Sequence, residues 1–238
     1  MELILVRHGE PAWVSPDGKN RNDPPLTERG HQQAKLVGDR LADSEDLPGR
    51  GDVDRVFVSP AVRAQQTAEP IGLALGLELE THEWLVELKS PDSWDDAPIE
   101  EVAESFMALG NSSRAQWWMG HPDGETLLEF HQRVTSGLRA LLGELGIVPT
   151  AAPGLWDVTG AAADGTVDRI VAVAHGGTNS AIISYLLGAR PEPWEWDRFT
   201  MGHASVALLA TTPVAGHHIW SLRALGDANH LAVADRTR

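Results

Sequence analysis

Three short stretches of this chain carry side chains that could do chemistry together. Arg7-His8-Gly9-Glu10 follows the apolar run Leu3–Val6, Ser59-Pro60 and Arg63 follow Val53–Val58, and His175-Gly176-Gly177 follows Ile170–Ala174. Two imidazoles, each delivered by the end of a buried strand, suit phosphoryl transfer through a phosphorylated histidine. Arginines beside them would select an anionic ligand.

Such groups meet only if the elements that carry them are neighbours. Leu3–Val6, Val53–Val58 and Asp168–Ala174 read as buried strands, the last a continuous apolar run of the kind found at the centre of a parallel sheet. Between them, Thr27–Leu41 reads as an amphipathic helix with Ala34, Val37 and Leu41 on one face and Thr27 as N-cap. A second helix is expected from Ser59 as N-cap and Pro60 at the first helical position to about Leu75, stopping near Gly76. Asp123-Gly124-Glu125-Thr126 opens a third, with Leu127, Phe130, Val134, Leu138 and Leu141 at helical spacing. Thr178–Leu187 is a fourth, with Gly188 as C-cap. Thr150–Val167 reads as a loop, and Ala204–Ala210 and His218–Leu222 as closing strands.

The alternation predicts an α/β protein, a three-layer αβα sandwich around a mainly parallel sheet. One domain over residues 1–238 is expected, with an acidic, tryptophan-rich insert at about 89–122 packing over the sheet edge. Ligands of such sheets bind beyond the carboxyl ends of the strands. There the helix after Gly177 would also aim its free N–H groups at an anion.

Composition narrows the function. The chain lacks cysteine, which excludes disulfides, thiolate metal sites and cysteine nucleophiles. Its net charge of -15 opposes binding to nucleic acid or anionic lipid, so a phosphate site must rely on local donors. No apolar stretch approaches a membrane span. An N-terminal targeting peptide is not expected, because its cleavage would remove the Arg7-His8-Gly9 turn. The expectation is a soluble, cytoplasmic protein acting on a small molecule.

Arg7-His8-Gly9-Glu10, Ser59 to Ala68 with Arg63 at its centre, and Ala174-His175-Gly176-Gly177 resemble the defining motifs of the histidine phosphatase superfamily, branch 1, the phosphoglycerate mutase-like family. Pro25-Leu26-Thr27-Glu28-Arg29-Gly30, Gly124-Glu125-Thr126 and Asn229-His230-Leu231 match too, in family order across nearly the whole chain. The resemblance implies a metal-independent, cofactor-free phosphoric monoester hydrolase. It implies His8 as nucleophile, Arg7 and Arg63 as clamps on the phosphoryl oxygens, and His175 as a further donor. Gly176 would let the backbone approach the phosphate. Glu87, in Leu85-Val86-Glu87, would serve as proton donor, with Glu83 as competitor. Nearby arginines would keep His8 unprotonated.

The chain departs from the family pattern where a phosphate-binding asparagine is usual. Val14 stands there, leaving Asn20 or Asn22 to supply the contact or the contact absent. His31, His82, His121, His131, His203, His217 and His218 show no metal-ligand spacing and read as structural or surface groups. The tryptophans of the insert either form its own small core or line a pocket for an apolar leaving group. A phosphomutase shares the whole constellation, and a non-catalytic phospholigand-binding protein is the alternative outside enzymology. The sequence leaves substrate and oligomeric state open.

Overall fold

The computed structural model describes residues 1–43 and 52–238. Its centre is an eight-stranded sheet. The strands are β1 (Glu2–Arg7), β2 (Arg55–Val58), β3 (Leu79–Thr81), β4 (Ile147–Pro149), β5 (Trp156–Val158), β6 (Arg169–Ala174), β7 (Val206–Val214) and β8 (His217–Asp227), ordered β3-β2-β6-β1-β7-β8-β5-β4. The four strands β3, β2, β6 and β1 run parallel; β7, β8, β5 and β4 continue the sheet antiparallel. The α/β sandwich holds, and the parallel character belongs to the half that carries the His8 and His175 motifs.

The period of two along the strands builds both cores. Ile4, Val6, Val56, Val58, Val171 and Val173 face α1 (Glu28–Ala42) and α2 (Val62–Leu75), where Val37, Leu41, Ala68 and Ile71 meet them. Leu3, Leu5, Phe57, Ile170 and Ala172 face α5 (Leu127–Glu144) and α7 (Gly176–Leu186), meeting Phe130, Leu138, Leu142, Ile182 and Leu186. Because both faces are covered, the central strands are apolar throughout rather than alternating. Each fully buried Val, Leu, Ile or Phe side chain contributes about 1.5–3 kcal/mol.

Local signals set most boundaries. Thr27 caps α1, accepting the Gly30 N–H through its hydroxyl, and Gly76 ends α2 at φ 67°. Thr126 and Glu129 form a reciprocal capping box at the start of α5. Three expectations are corrected. Helix α2 begins at Val62 with Ala61 as N-cap, and its first N–H is taken by the Asp23 carboxylate (3.0 Å); Ser59 stands two residues before that cap, its hydroxyl accepting the Ala61 N–H (3.3 Å) and meeting His175 Nε2 (2.8 Å). Residues 150–167 are not a plain loop: Trp156–Val158 pairs with both β4 and β8, and α6 (Gly160–Asp164) follows. Gly188, at φ 72°, stands one residue beyond the C-cap Leu187.

Residues 89–122 contain a 3-10 turn (Asp92–Trp94) and helices α3 (Ile99–Gly110) and α4 (Arg114–Met119). They do not lie over the sheet edge. Helix α4 packs on α5 and on the 3-10 turn Pro193–Asp197, and residues of the 3-10 turn and α3 overhang the carboxyl ends of the parallel strands. No described helix is long and apolar enough to cross a membrane.

Candidate active site

Strand register brings the site together. Arg7 pairs with Ala174 and Val58 with Val173, so His8, Ser59 and His175 leave three adjacent strands side by side. The His8 N–H donates to Ala174 O (3.0 Å) and the Ser59 N–H to Val173 O (3.0 Å), carrying the ladder one residue past each strand. The His8 and His175 rings lie 5.2 Å apart between centroids, both almost wholly buried.

The turn after β1 is held from below. A Cβ on Gly9 would stand 2.5 Å from Gly30 O, and one on Gly30 would stand 2.2 Å from Glu10 O. Both positions therefore need glycine for the turn to sit on the start of α1. Thr67 on α2 accepts the Gly9 N–H (2.9 Å) and donates to Arg63 O (2.7 Å), tying the histidine turn to the arginine helix.

His8 Nδ1 lies 2.8 Å from Gly9 O, which can only accept, so the ring proton sits on Nδ1 and Nε2 offers its lone pair. Burial, reinforced by His175, Arg63 and Arg7, pushes the His8 pKa far below the usual imidazole range. His175 is depressed in the same way, by burial first and then by Arg63, Arg7 and Arg133. Its Nε2 meets Ser59 Oγ at 2.8 Å.

Arg63 is buried and Arg7 half-buried. Arg7 donates to Met201 O (2.5 Å) and, through Nη2, faces His203 Nε2 (3.1 Å). Arg63 pairs with Asp23 (3.2 Å) and lies over the Trp13 ring (4.7 Å to the centroid). Desolvation lowers both guanidinium pKa values, and like-charge repulsion from Arg7 adds to the effect on Arg63. Arg7 Nε, Arg63 Nε and His175 Nδ1 are buried without a hydrogen-bond partner among the described residues. Two desolvated cations lining the cavity, with the orphaned nitrogen of His175 behind them beside His8, make a cradle that an oxyanion would complete.

Glu87 reaches the cavity that His8, Arg7 and Arg63 line; Glu83 is exposed and outside it. The Glu87 carboxylate accepts the Gly177 N–H (2.8 Å) at the start of α7 and the Leu88 N–H (2.9 Å). One N–H of the α7 N-terminus, expected to be free for a phosphate, is thus occupied by Glu87. Glycine is needed at 177 rather than at 176. A Cβ on Gly177 would meet Glu87 Oε1 at 2.5 Å, whereas one on Gly176 would meet Arg7 at an ordinary 3.6 Å. Arg133 braces the segment, donating to the carbonyls of Trp84, Val86 and Glu87 while paired with both Glu125 oxygens.

Val14 is exposed. Asn20 and Asn22 line the cavity, but their amides donate elsewhere, Asn20 to Asn22 Oδ1 and Trp94 O, Asn22 to Pro91 O (each 3.0 Å). His203, expected to be a structural or surface group, has a buried ring tilted against His8 at 5.6 Å between centroids, and it bonds Arg7 on one side and Thr237 Oγ1 (2.8 Å) on the other. Its place just before β7 was the available signal. In a strand antiparallel to β1, that position falls at the carboxyl end of β1. Asp23 and Arg133 carry no comparable signal. Among the described residues, no group of three or more His, Asp or Glu side chains is arranged to hold a metal ion.

The sequence profile of the histidine phosphatase superfamily (branch 1) matches residues 3–222. Phosphoserine phosphatase 1 of Hydrogenobacter thermophilus is 32% identical over 142 residues, 56% of this chain and 61% of that protein. A probable phosphoglycerate mutase GpmB of Yersinia enterocolitica is 31% identical over 148 residues, 60% of this chain and 63% of that protein. The chain thus spans less than two thirds of the length of these curated relatives. The α-ribazole phosphatase of Shigella flexneri superposes with a TM-score of 0.68 at 26% identity, covering 95% of this chain and 96% of that one.

Proposed function

Because the chain belongs to branch 1 of the histidine phosphatase superfamily, we propose that it hydrolyses a small-molecule phosphate monoester through a phosphorylated His8. Residues 1–238 act as one catalytic domain, with 89–122 as an insert over the site, and the enzyme works in the cytoplasm with neither nucleic acid nor membrane as partner. The observation that carries the reading is the pairing of a neutral, correctly oriented His8 with buried, unpartnered donors on Arg7, Arg63 and His175. A phosphoryl dianion satisfies all three.

His8 Nε2 attacks phosphorus in line while Arg7 and Arg63 neutralise the equatorial oxygens. With Ser59 donating to His175 Nε2, the His175 proton sits on Nδ1 and is offered to the same oxygens. The ester P–O bond breaks, and Glu87 in its acid form protonates the departing oxygen. Water then attacks phospho-His8 and yields its proton to the Glu87 carboxylate. The P–N bond breaks, the electron pair returns to Nε2, and inorganic phosphate leaves. Replacing His8 with Ala is expected to lower kcat/KM by about 10⁴-fold or more. Labelled substrate should leave a base-stable, acid-labile label on the native chain only. Undiminished turnover in the variant would overturn the assignment.

The mutase relatives favour a second reading, in which phospho-His8 passes its group back to a bound alcohol. Against it, the wall includes Trp13, Trp94, Phe106, Trp196 and Phe199, which offer the charges and hydroxyls of a phosphoglycerate no partner. Interconversion of 2- and 3-phosphoglycerate, with and without a bisphosphorylated primer, separates the two.

A further inference from the structure

The cavity over His8 measures about 530 Å³, far more than a phosphoryl group fills. Beyond the arginines, one stretch of its wall is a cluster of rings, bordered by Ile99, Val102 and Ala103. Trp94, Phe106 and His121 pack against one another, with centroids 4.5 Å (Trp94 to His121), 4.8 Å (Phe106 to His121) and 5.2 Å (Trp94 to Phe106) apart, and all three line the cavity. Trp196 lines it as well, and Trp13 stands edge-on to His8 at 6.4 Å.

This wall is built rather than incidental. Asn20 holds the carbonyl of Trp94, Asn22 holds that of Pro91, and the Asn20 backbone bonds Ala97 O (2.8 Å) and the Asp96 N–H (2.9 Å). The asparagines expected near the phosphate instead lock the insert to the loop after His8. The His121 ring is almost fully buried, and that burial lowers its pKa, so it presents a neutral face. Its Nδ1 bonds Ser105 Oγ (3.0 Å), while Nε2, like Trp196 Nε1, is a buried polar atom with no partner among the described residues. The tryptophans of the insert divide accordingly. Trp117 and Trp118 pack on the core beneath α5 and α7, and Trp94 faces the cavity.

We propose that this wall is the leaving-group subsite and that the physiological substrate is a phosphate ester of an alcohol carrying an aromatic, or equally flat and apolar, body. The inference rests on the phosphohistidine reading for the identity of the reacting end. Trp94 and Phe106 set the specificity by stacking on that body. Half-buried Arg21 and exposed Lys89 also border the cavity and would favour a carboxylate-bearing substrate if they governed selection. The two cases can be told apart.

Benzyl phosphate, glycerol 3-phosphate and O-phosphoserine all release primary alcohols, so a comparison reads contacts rather than leaving-group acidity. Benzyl phosphate is expected to have a kcat/KM at least about tenfold above the other two. Trp94→Ala and Phe106→Ala should each cut that ratio by about tenfold, and Trp94→Phe should restore most of it. Binding of 2-phenylethylphosphonate against ethylphosphonate, measured by calorimetry, tests the subsite without turnover. A preference of about tenfold that Trp94→Ala abolishes supports it. Equal affinities, a preference unchanged in Trp94→Ala, or a higher kcat/KM for phosphoserine would each overturn it. Absence of both turnover and label on His8, with the phosphonate preference intact, would overturn the catalytic reading instead.

Discussion

At the floor of the cavity, His8, Ser59 and His175 follow strands whose backbone ladders continue one residue past the sheet. At its wall, Trp94, Phe106 and His121 ride on a segment fastened by side-chain amides from Asn20 and Asn22. The floor cannot shift without breaking the sheet, whereas the wall can be rebuilt by changing a few loop residues. Chemistry that tolerates little displacement sits on the first, and recognition, which varies between relatives, sits on the second.

Glu87 tests this division most severely, because the proposed mechanism gives it a part in the chemistry although it hangs from a loop. Glu87→Gln is expected to lower kcat by about 10²–10⁴-fold on an alkyl phosphate. With 4-nitrophenyl phosphate, whose leaving group needs no proton, phosphorylation of His8 should survive and its hydrolysis should fail. A burst of one nitrophenolate per site followed by slow turnover is the signature. Glu83→Gln should stay within about twofold, since its side chain is exposed and away from the cavity. Equal losses in the two variants would place the proton donor elsewhere.

A smaller effect comes from the glycine beneath that carboxylate. Gly177→Ala sets a methyl 2.5 Å from Glu87 Oε1 and 3.0 Å from the Trp196 ring, so the carboxylate must leave the α7 N-terminus. We expect kcat to fall by about ten- to a hundredfold, with phosphonate affinity changed far less. Loss confined to affinity would mean that Gly177 serves the phosphate rather than Glu87.

What could be read in advance follows the same division. The places of His8 and His175 are legible because apolar runs of strand length end at them, and local periodicity decides that. Thr27, Gly76 and Thr126 were legible because caps are local as well. Ser59 is not the cap because the helix starts three residues later, where Asp23, far away in sequence, takes the Val62 N–H. His203 was missed because a mainly parallel sheet places the start of β7 at the far end; only its antiparallel pairing with β1 brings His203 to Arg7. Pairing direction and the partners of polar side chains are long-range properties that no window of sequence contains.

His203 offers the gentlest test of how the floor is held. Its Nε2 faces the Arg7 guanidinium at 3.1 Å and must stay unprotonated to accept from it. Burial first, then Arg7, lowers its pKa to about 3, with Glu10 opposing. The unfolded chain, titrating near 6.5, binds the proton more readily than the folded one. Stability from this residue is therefore fully present above about pH 6.5 and lost as pH falls toward 3. Between pH 6.5 and 5.5 the loss amounts to about 1 kcal/mol. His203→Gln can still accept from Arg7 through its amide oxygen but does not titrate. Its urea-unfolding free energy should fall by about 1 kcal/mol less than that of the native chain over that interval, on top of the acid sensitivity that His8 and His175 retain. Turnover at neutral pH should stay within about tenfold of native for Gln and drop further for His203→Leu, which leaves the part-buried Arg7 Nη2 without its acceptor. Parallel pH slopes for the native chain and His203→Gln would mean that His203 takes up its proton as readily in the folded chain as in the unfolded one, and that its bond to Arg7 does not hold the ring neutral.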